Sequence, residues 1–96
     1  MKICFLGCGN IAQAIIDGLL KSGISSADIA CIERNQQRIE ALTKQNLQII
    51  ELENLATMNF DLIVLAVKPK DALSAEQKIF KMVPRTAILT VVAGLN

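Results

Sequence analysis

Gly7-Cys8-Gly9-Asn10-Ile11-Ala12 is the stretch that decides how this chain is read. Before it, Lys2-Ile-Cys-Phe-Leu6 is a short apolar run closed by a glycine, the pattern of a strand covered on both faces in a parallel sheet. After it the period changes. Ile11, Ala14, Ile15, Gly18 and Leu19 recur at three- and four-residue spacing, while Gln13, Asp17 and Lys21 fall on the opposite side. This predicts an amphipathic helix with Gly23 as its C-terminal cap. Between strand and helix the six residues match G-x-G-x-x-G/A, and each small residue has a physical task. Gly7 permits the tight turn, Gly9 lets a pyrophosphate approach the backbone, and Ala12 lets the helix pack closely on the strand. A helix beginning near Asn10 would direct unpaired N–H groups and its positive dipole end at that anion, an attraction of about 0.3–1 kcal/mol when exposed. Taken alone the pattern is weak, and a purely structural glycine turn is the plain alternative. Its place between a strand and an amphipathic helix favours dinucleotide binding. A mononucleotide P-loop is disfavoured, because no Lys-Ser/Thr pair follows the last small residue.

The remaining chain continues the alternation. Residues 25–28 carry turn chemistry, and Ile29-Ala-Cys-Ile32 reads as a second strand. Asn35 offers an N-cap to a helix that turns Ile39 and Leu42 inward. Residues 47–50 form a faint third strand and 52–58 a short helical turn. Leu62-Ile-Val-Leu-Ala-Val67 is the plainest buried strand, and Pro69 is expected to stop it. Asp71 is the expected cap of a helix reaching Met82, with Leu73, Ile79 and Phe80 facing inward. Pro84 ends that helix, and residues 86–92 make a fifth strand. Alternating strands and helices predict an α/β fold: an open, Rossmann-type parallel sheet in the order 3-2-1-4-5, with helices on both faces. All 96 residues read as one domain without linker or repeat.

Composition narrows the function. The chain is 52% hydrophobic and 20% charged, outside the disordered range, and large enough for one core. Ten basic against nine acidic residues, with no Trp or Tyr, offer no nucleic-acid surface. The apolar runs are too short to span a bilayer, and no signal peptide precedes the first strand, so a cytoplasmic protein without a membrane partner is expected. There is no His, which removes the commonest acid–base residue and metal ligand. Cys4, Cys8 and Cys31 are too few and too scattered for a metal site or a disulfide framework. Cys4 and Cys31, set among apolar residues, read as buried small hydrophobes.

The end of the second strand bears on the choice of dinucleotide. Glu33 lies 21 residues beyond Ala12, where a carboxylate can accept from ribose hydroxyls and select NAD. Arg34 follows at once and can pair with the 2′-phosphate of NADP. Neighbours on a strand point to opposite faces, so side-chain direction decides between them. A solvated Glu–Arg pair is the plain alternative. Arg34 and Asn35 tilt the reading toward NADP.

Gly7-Cys-Gly-Asn-Ile-Ala12, Gly18-Leu19, Leu65-Ala-Val-Lys-Pro69 and Val92-Ala-Gly-Leu95 together resemble pyrroline-5-carboxylate reductase, over essentially the whole chain. The Gly-x-Gly-Asn start is shared with deazaflavin-linked NADP reductases and hydroxyacid dehydrogenases, and Ala66-Val67-Lys68-Pro69 is the more specific part. The resemblance implies NAD(P)H-dependent reduction of 1-pyrroline-5-carboxylate to L-proline. It implies that residues 7–12 hold the pyrophosphate and that Arg34 and Asn35 lie near the adenosine phosphate. By the same resemblance Ala66, Val67, Lys68 and Pro69, with Ala93 and Gly94, line the nicotinamide-ribose side, and Asn54 is an adenosine-side contact. Members of the family continue into a helical domain that forms homo-oligomers and completes the imino-acid site. This chain matches the cofactor domain alone, so cofactor binding with little activity of its own is expected, and no catalytic residue is assigned. A stand-alone NAD(P)-binding module is the alternative, and the reading frame after codon 96 separates the two.

Overall fold

Ile3–Leu6, Ile29–Ile32 and Leu62–Leu65 are four-residue segments with an apolar side chain at every position, and they form β1, β2 and β4 at the centre of one sheet. The computed structural model describes residues 1–91. Gln48–Ile49 (β3) and Ala87–Thr90 (β5) add the two edges, giving five parallel strands in the order β3-β2-β1-β4-β5. Strand side chains alternate between faces, so each central strand feeds two cores. One face joins Phe5, Cys31 and Val64 to Ala12 and Ile16 of Asn10–Lys21 (α1) and to Leu42 of Gln36–Lys44 (α2). The other joins Cys4, Ala30, Ile63 and Leu65 to Leu55 of Leu55–Met58 (α3) and to Ile79 of Pro69–Met82 (α4). Strand order and helices on both faces are as the alternation predicts.

The helix ends follow their chemistry. Ile24 N–H reaches Leu19 C=O at 3.1 Å and Gly23 N–H reaches Leu20 C=O at 3.2 Å, a Schellman closure of α1 with Gly23 one residue past the cap. Asn35 Oδ1 accepts from Arg38 N–H at 3.0 Å and caps α2, as expected.

Four expectations need correction. The inward stripe of α1 is Ala12, Ile15, Ile16 and Leu19, whereas Ala14 and Gly18 are exposed, a rotation set by the close seat of Ala12 against the sheet. β4 ends at Leu65 rather than running on through Val67. Pro69 does not merely stop that strand: it is the first residue of α4, where its missing N–H costs nothing, so Lys68 is the cap and Asp71 lies in the first turn. Leu73 and Phe80 face solvent at 67% and 58% exposure, because the inward stripe, Ala72, Ala75, Ile79 and Met82, runs one residue aside. Among the described residues no helix is long and apolar enough to cross a membrane.

Candidate cofactor site

Leu6 stands level with Ile32 on one side and Leu65 on the other, so the chain leaves β1, β2 and β4 at one height. Two bonds carry the ladders a residue further: Gly7 N–H donates to Ile32 C=O at 3.0 Å, and Ala66 N–H to Leu6 C=O at 2.9 Å. A cleft of about 930 Å³ opens over these ends, at the point where the strand order reverses from β1 to β4.

The two glycines of the first loop answer to different demands. Gly7 has φ +82°, and a Cβ there would stand 2.7 Å from the Ala66 carbonyl oxygen, so the fold itself requires glycine. Gly9 has an ordinary φ of −76°. A Cβ at Gly9 would meet nothing nearer than Arg38 Nη1 at 3.8 Å, so the protein has room for a side chain and carries none. The open space lies over the start of α1, whose cap, Gly9, has no side chain to accept from the first-turn N–H groups. Those donors are left to whatever enters the cleft.

Glu33 reaches under this loop. Its Oε1 accepts from Cys8 N–H at 2.8 Å, and its Oε2 accepts from Arg34 and Asn35 N–H, each at 2.9 Å. Burial pushes the carboxyl upward, but the N–H groups of Asn35, Cys8 and Arg34 and the charge of Arg38 outweigh that and hold it below the usual glutamate range. The Cys8 and Cys4 thiols are held protonated. The Cys8 thiol is driven strongly upward by the neighbouring Cys31 thiol and by burial, and Cys4 is pushed up to about 12, mainly by burial. Cys8 therefore joins Cys4 and Cys31 as a packed apolar residue rather than a nucleophile. Among the described residues no three His, Cys, Asp or Glu side chains gather as a metal site.

Gly7, Cys8, Gly9, Asn10, Ile11 and Ala12 all line the cleft, as do Arg34, Asn35, Ala66, Val67 and Lys68. Pro69 does not; it is turned to starting α4. Ala93 and Gly94 lie outside the described residues. Asn54 is also off the cleft, its Oδ1 accepting from Glu51 N–H at 2.9 Å within a 3-10 turn. Sequence reasoning missed Arg38, Lys70 and Lys78, which add cations to the lining. The signal for Arg38 was present: it sits in the first turn of a helix capped by Asn35, beside the end of β2. A loop with bare backbone donors, bordered by Arg34, Arg38, Lys68, Lys70 and Lys78 against the tied-up Glu33 and Asp71, fits a doubly phosphorylated nucleotide.

Residues 2–94 match the family described as NADP oxidoreductase, coenzyme F420-dependent. The chain belongs to that family. Within this family of NAD(P)-dependent oxidoreductases, its curated relatives are pyrroline-5-carboxylate reductases. The second such enzyme of Bacillus subtilis (strain 168) is 32% identical over 98 residues, spanning 99% of this chain and 35% of the relative. That of Pasteurella multocida (strain Pm70) is 36% identical over 73 residues, spanning 72% of this chain and 26% of the relative. Among solved structures, a pyrroline-5-carboxylate reductase from Coxiella burnetii superposes with a TM-score of 0.83 over 99% of this chain and 36% of its own, at 22% identity. A putative prephenate dehydrogenase from Corynebacterium glutamicum shares the fold at a TM-score of 0.74 and 20% identity, over 95% of this chain and 29% of that one. The chain spans about a third of the length of the curated relatives it matches.

Proposed function

We propose that this chain is the NAD(P)H-binding domain of a pyrroline-5-carboxylate reductase, the type of enzyme that reduces 1-pyrroline-5-carboxylate to L-proline. The observation that carries the reading is the loop of residues 7–12, bare at Gly9 and set over the level ends of β1, β2 and β4. In this reading the backbone at Gly7, Cys8 and Gly9 and the first turn of α1, Asn10, Ile11 and Ala12, receive the pyrophosphate. Arg34 and Asn35 take the adenosine phosphate, and Arg38 stands beside them. Ala66, Val67 and Lys68 border the nicotinamide ribose, with Pro69 fixing the start of α4 behind them; Ala93 and Gly94 are assigned to the same side. When bound, the reduced nicotinamide supplies a hydride for an imine carbon. The residues of this chain bind and orient the carrier, and none is assigned to proton transfer.

NADP is the preferred carrier in this reading. Arg34 and Arg38 line the β2 side of the cleft, while the carboxylate of Glu33, which would repel a 2′-phosphate, is engaged by three backbone N–H groups. We assign the imino-acid pocket and homo-oligomer contacts to the two thirds of the relatives' length that this chain does not span, and the setting to proline biosynthesis in the cytoplasm. Hydride transfer needs the imine held in near-attack geometry, so residues 1–96 alone bind cofactor without appreciable turnover.

Thermal unfolding in the presence of NADPH or NADH tests the reading. A ligand that binds only the native state stabilises it by about 2.7 kcal/mol at a hundredfold excess over Kd. The unfolding temperature is expected to rise with both nucleotides, at lower concentration for NADPH. No shift with either at millimolar concentration overturns the assignment.

A further inference from the structure

We infer that Glu33 is the positioning residue of the phosphate loop, bridging the turn after β1 to the turn after β2, and that it does not choose between NADH and NADPH. The inference rests on the dinucleotide reading above. An acidic residue at the end of a second strand is ordinarily assigned to the adenosine ribose, where it favours the unphosphorylated carrier. Here the geometry gives that carboxylate another task. Oε2 accepts from two N–H groups, of Arg34 and Asn35, and Oε1 accepts from a third, that of Cys8. Swinging the side chain out to a ribose would give up all three bonds, handing the exposed Arg34 and Asn35 N–H groups to water and leaving the part-buried Cys8 N–H without its acceptor.

The bridge matters because it holds the middle of the loop, between the Gly7 N–H bond to Ile32 C=O and the start of α1. Cys8 sits between two glycines, its thiol turned into the core, and its peptide N–H is held by Glu33 alone among the side chains. The same carboxylate fixes Asn35, whose Oδ1 in turn caps α2 at Arg38 N–H. From the tip of that first turn the Arg38 guanidinium reaches back to Gly9. One carboxylate thus holds the backbone that faces the pyrophosphate to the turn after β2, while the Asn35 cap holds the helix that carries Arg38. Discrimination between carriers then falls to Arg34 and Arg38, which meet the 2′-position without a competing acceptor.

The test is fluorescence titration of the purified chain with NADPH and NADH, in wild type, Glu33→Gln, Glu33→Ala and Arg38→Met, each checked for folding by circular dichroism and held well below its unfolding temperature. Glu33→Ala is expected to weaken both carriers by about tenfold with their ratio unchanged. Glu33→Gln keeps an acceptor for Cys8 N–H and is expected to lose about half of that effect on a logarithmic scale. Arg38→Met is expected to weaken both carriers, because the guanidinium stands beside Gly9, and to weaken NADPH by about tenfold more than NADH. Three results overturn the inference: selective loss of NADH in Glu33→Ala, tighter NADPH binding in Glu33→Ala, or affinities unchanged in folded variants that merely melt earlier. If Glu33→Ala does not fold, the same readings on Glu33→Gln decide. Wild-type protein that binds neither carrier would instead sink the dinucleotide reading itself, a result distinct from all of these.

Discussion

The two walls of the cleft are held by different means. The wall made by the turns after β1 and β2 is locked by backbone: Gly7 presses against Ala66 C=O, and Glu33 ties three N–H groups from two turns. The wall made by the start of α4 has no side-chain cap bond, and Lys68 and Lys70 stand exposed on its rim. The difference teaches where this fold needs shape and where it needs only charge. Backbone donors aimed at a phosphate must be placed to within a fraction of an ångström, whereas a lysine on a flexible stem adapts to its anion.

Breaking the locked wall has the largest expected effect. Gly7→Ala places a Cβ at a positive φ and against a carbonyl oxygen, and is expected to cost about 2–4 kcal/mol in urea unfolding, a large part of a small domain's stability. Stability within about 0.5 kcal/mol of wild type would show that the turn relaxes and that the first wall is no stiffer than the second.

Acid sharpens the comparison more gently. Glu33 is held below its unfolded value, so its contribution is fully present above the ordinary carboxylate range and is lost as pH falls through the lower, folded value. Between about pH 5 and about pH 3 the urea midpoint of wild type is expected to fall more steeply than that of Glu33→Gln. Parallel acid limbs in the two proteins would remove Glu33 from that role.

Much of this was legible in the sequence, for definable reasons. Ile3–Leu6, Ile29–Ile32 and Leu62–Leu65 are apolar at every position, too short for helices and set between turn residues, which is the pattern of strands buried on both faces, so the sheet and its order followed. The loop of residues 7–12 was legible because its small residues fall between an apolar strand and an amphipathic helix, where a phosphate-facing turn needs them. What stayed hidden depended on geometry between segments. Leu73 and Phe80 look like core by type, but Ala72, Ala75 and Ile79 take the inward stripe because α4 starts at Pro69 rather than at Asp71. The approach of Arg38 to Gly9 follows from β2 lying next to β1, which no local pattern displays. The sequence leaves Glu33 open between a ribose ligand and a solvated partner of Arg34, because its three partners are backbone N–H groups, which leave no mark on side-chain chemistry.

Gly9 gives the most direct test of the central claim, because the fold leaves room at that position and the proposed ligand does not. Isothermal titration of NADPH into wild type and Gly9→Val, with thermal unfolding of both unliganded proteins alongside, is the measurement. Saturable binding to wild type, lost by about a hundredfold or more in a variant that still folds, is the result predicted, since a side chain there would occupy the space of a pyrophosphate. Equal NADPH affinity in the two proteins would contradict it.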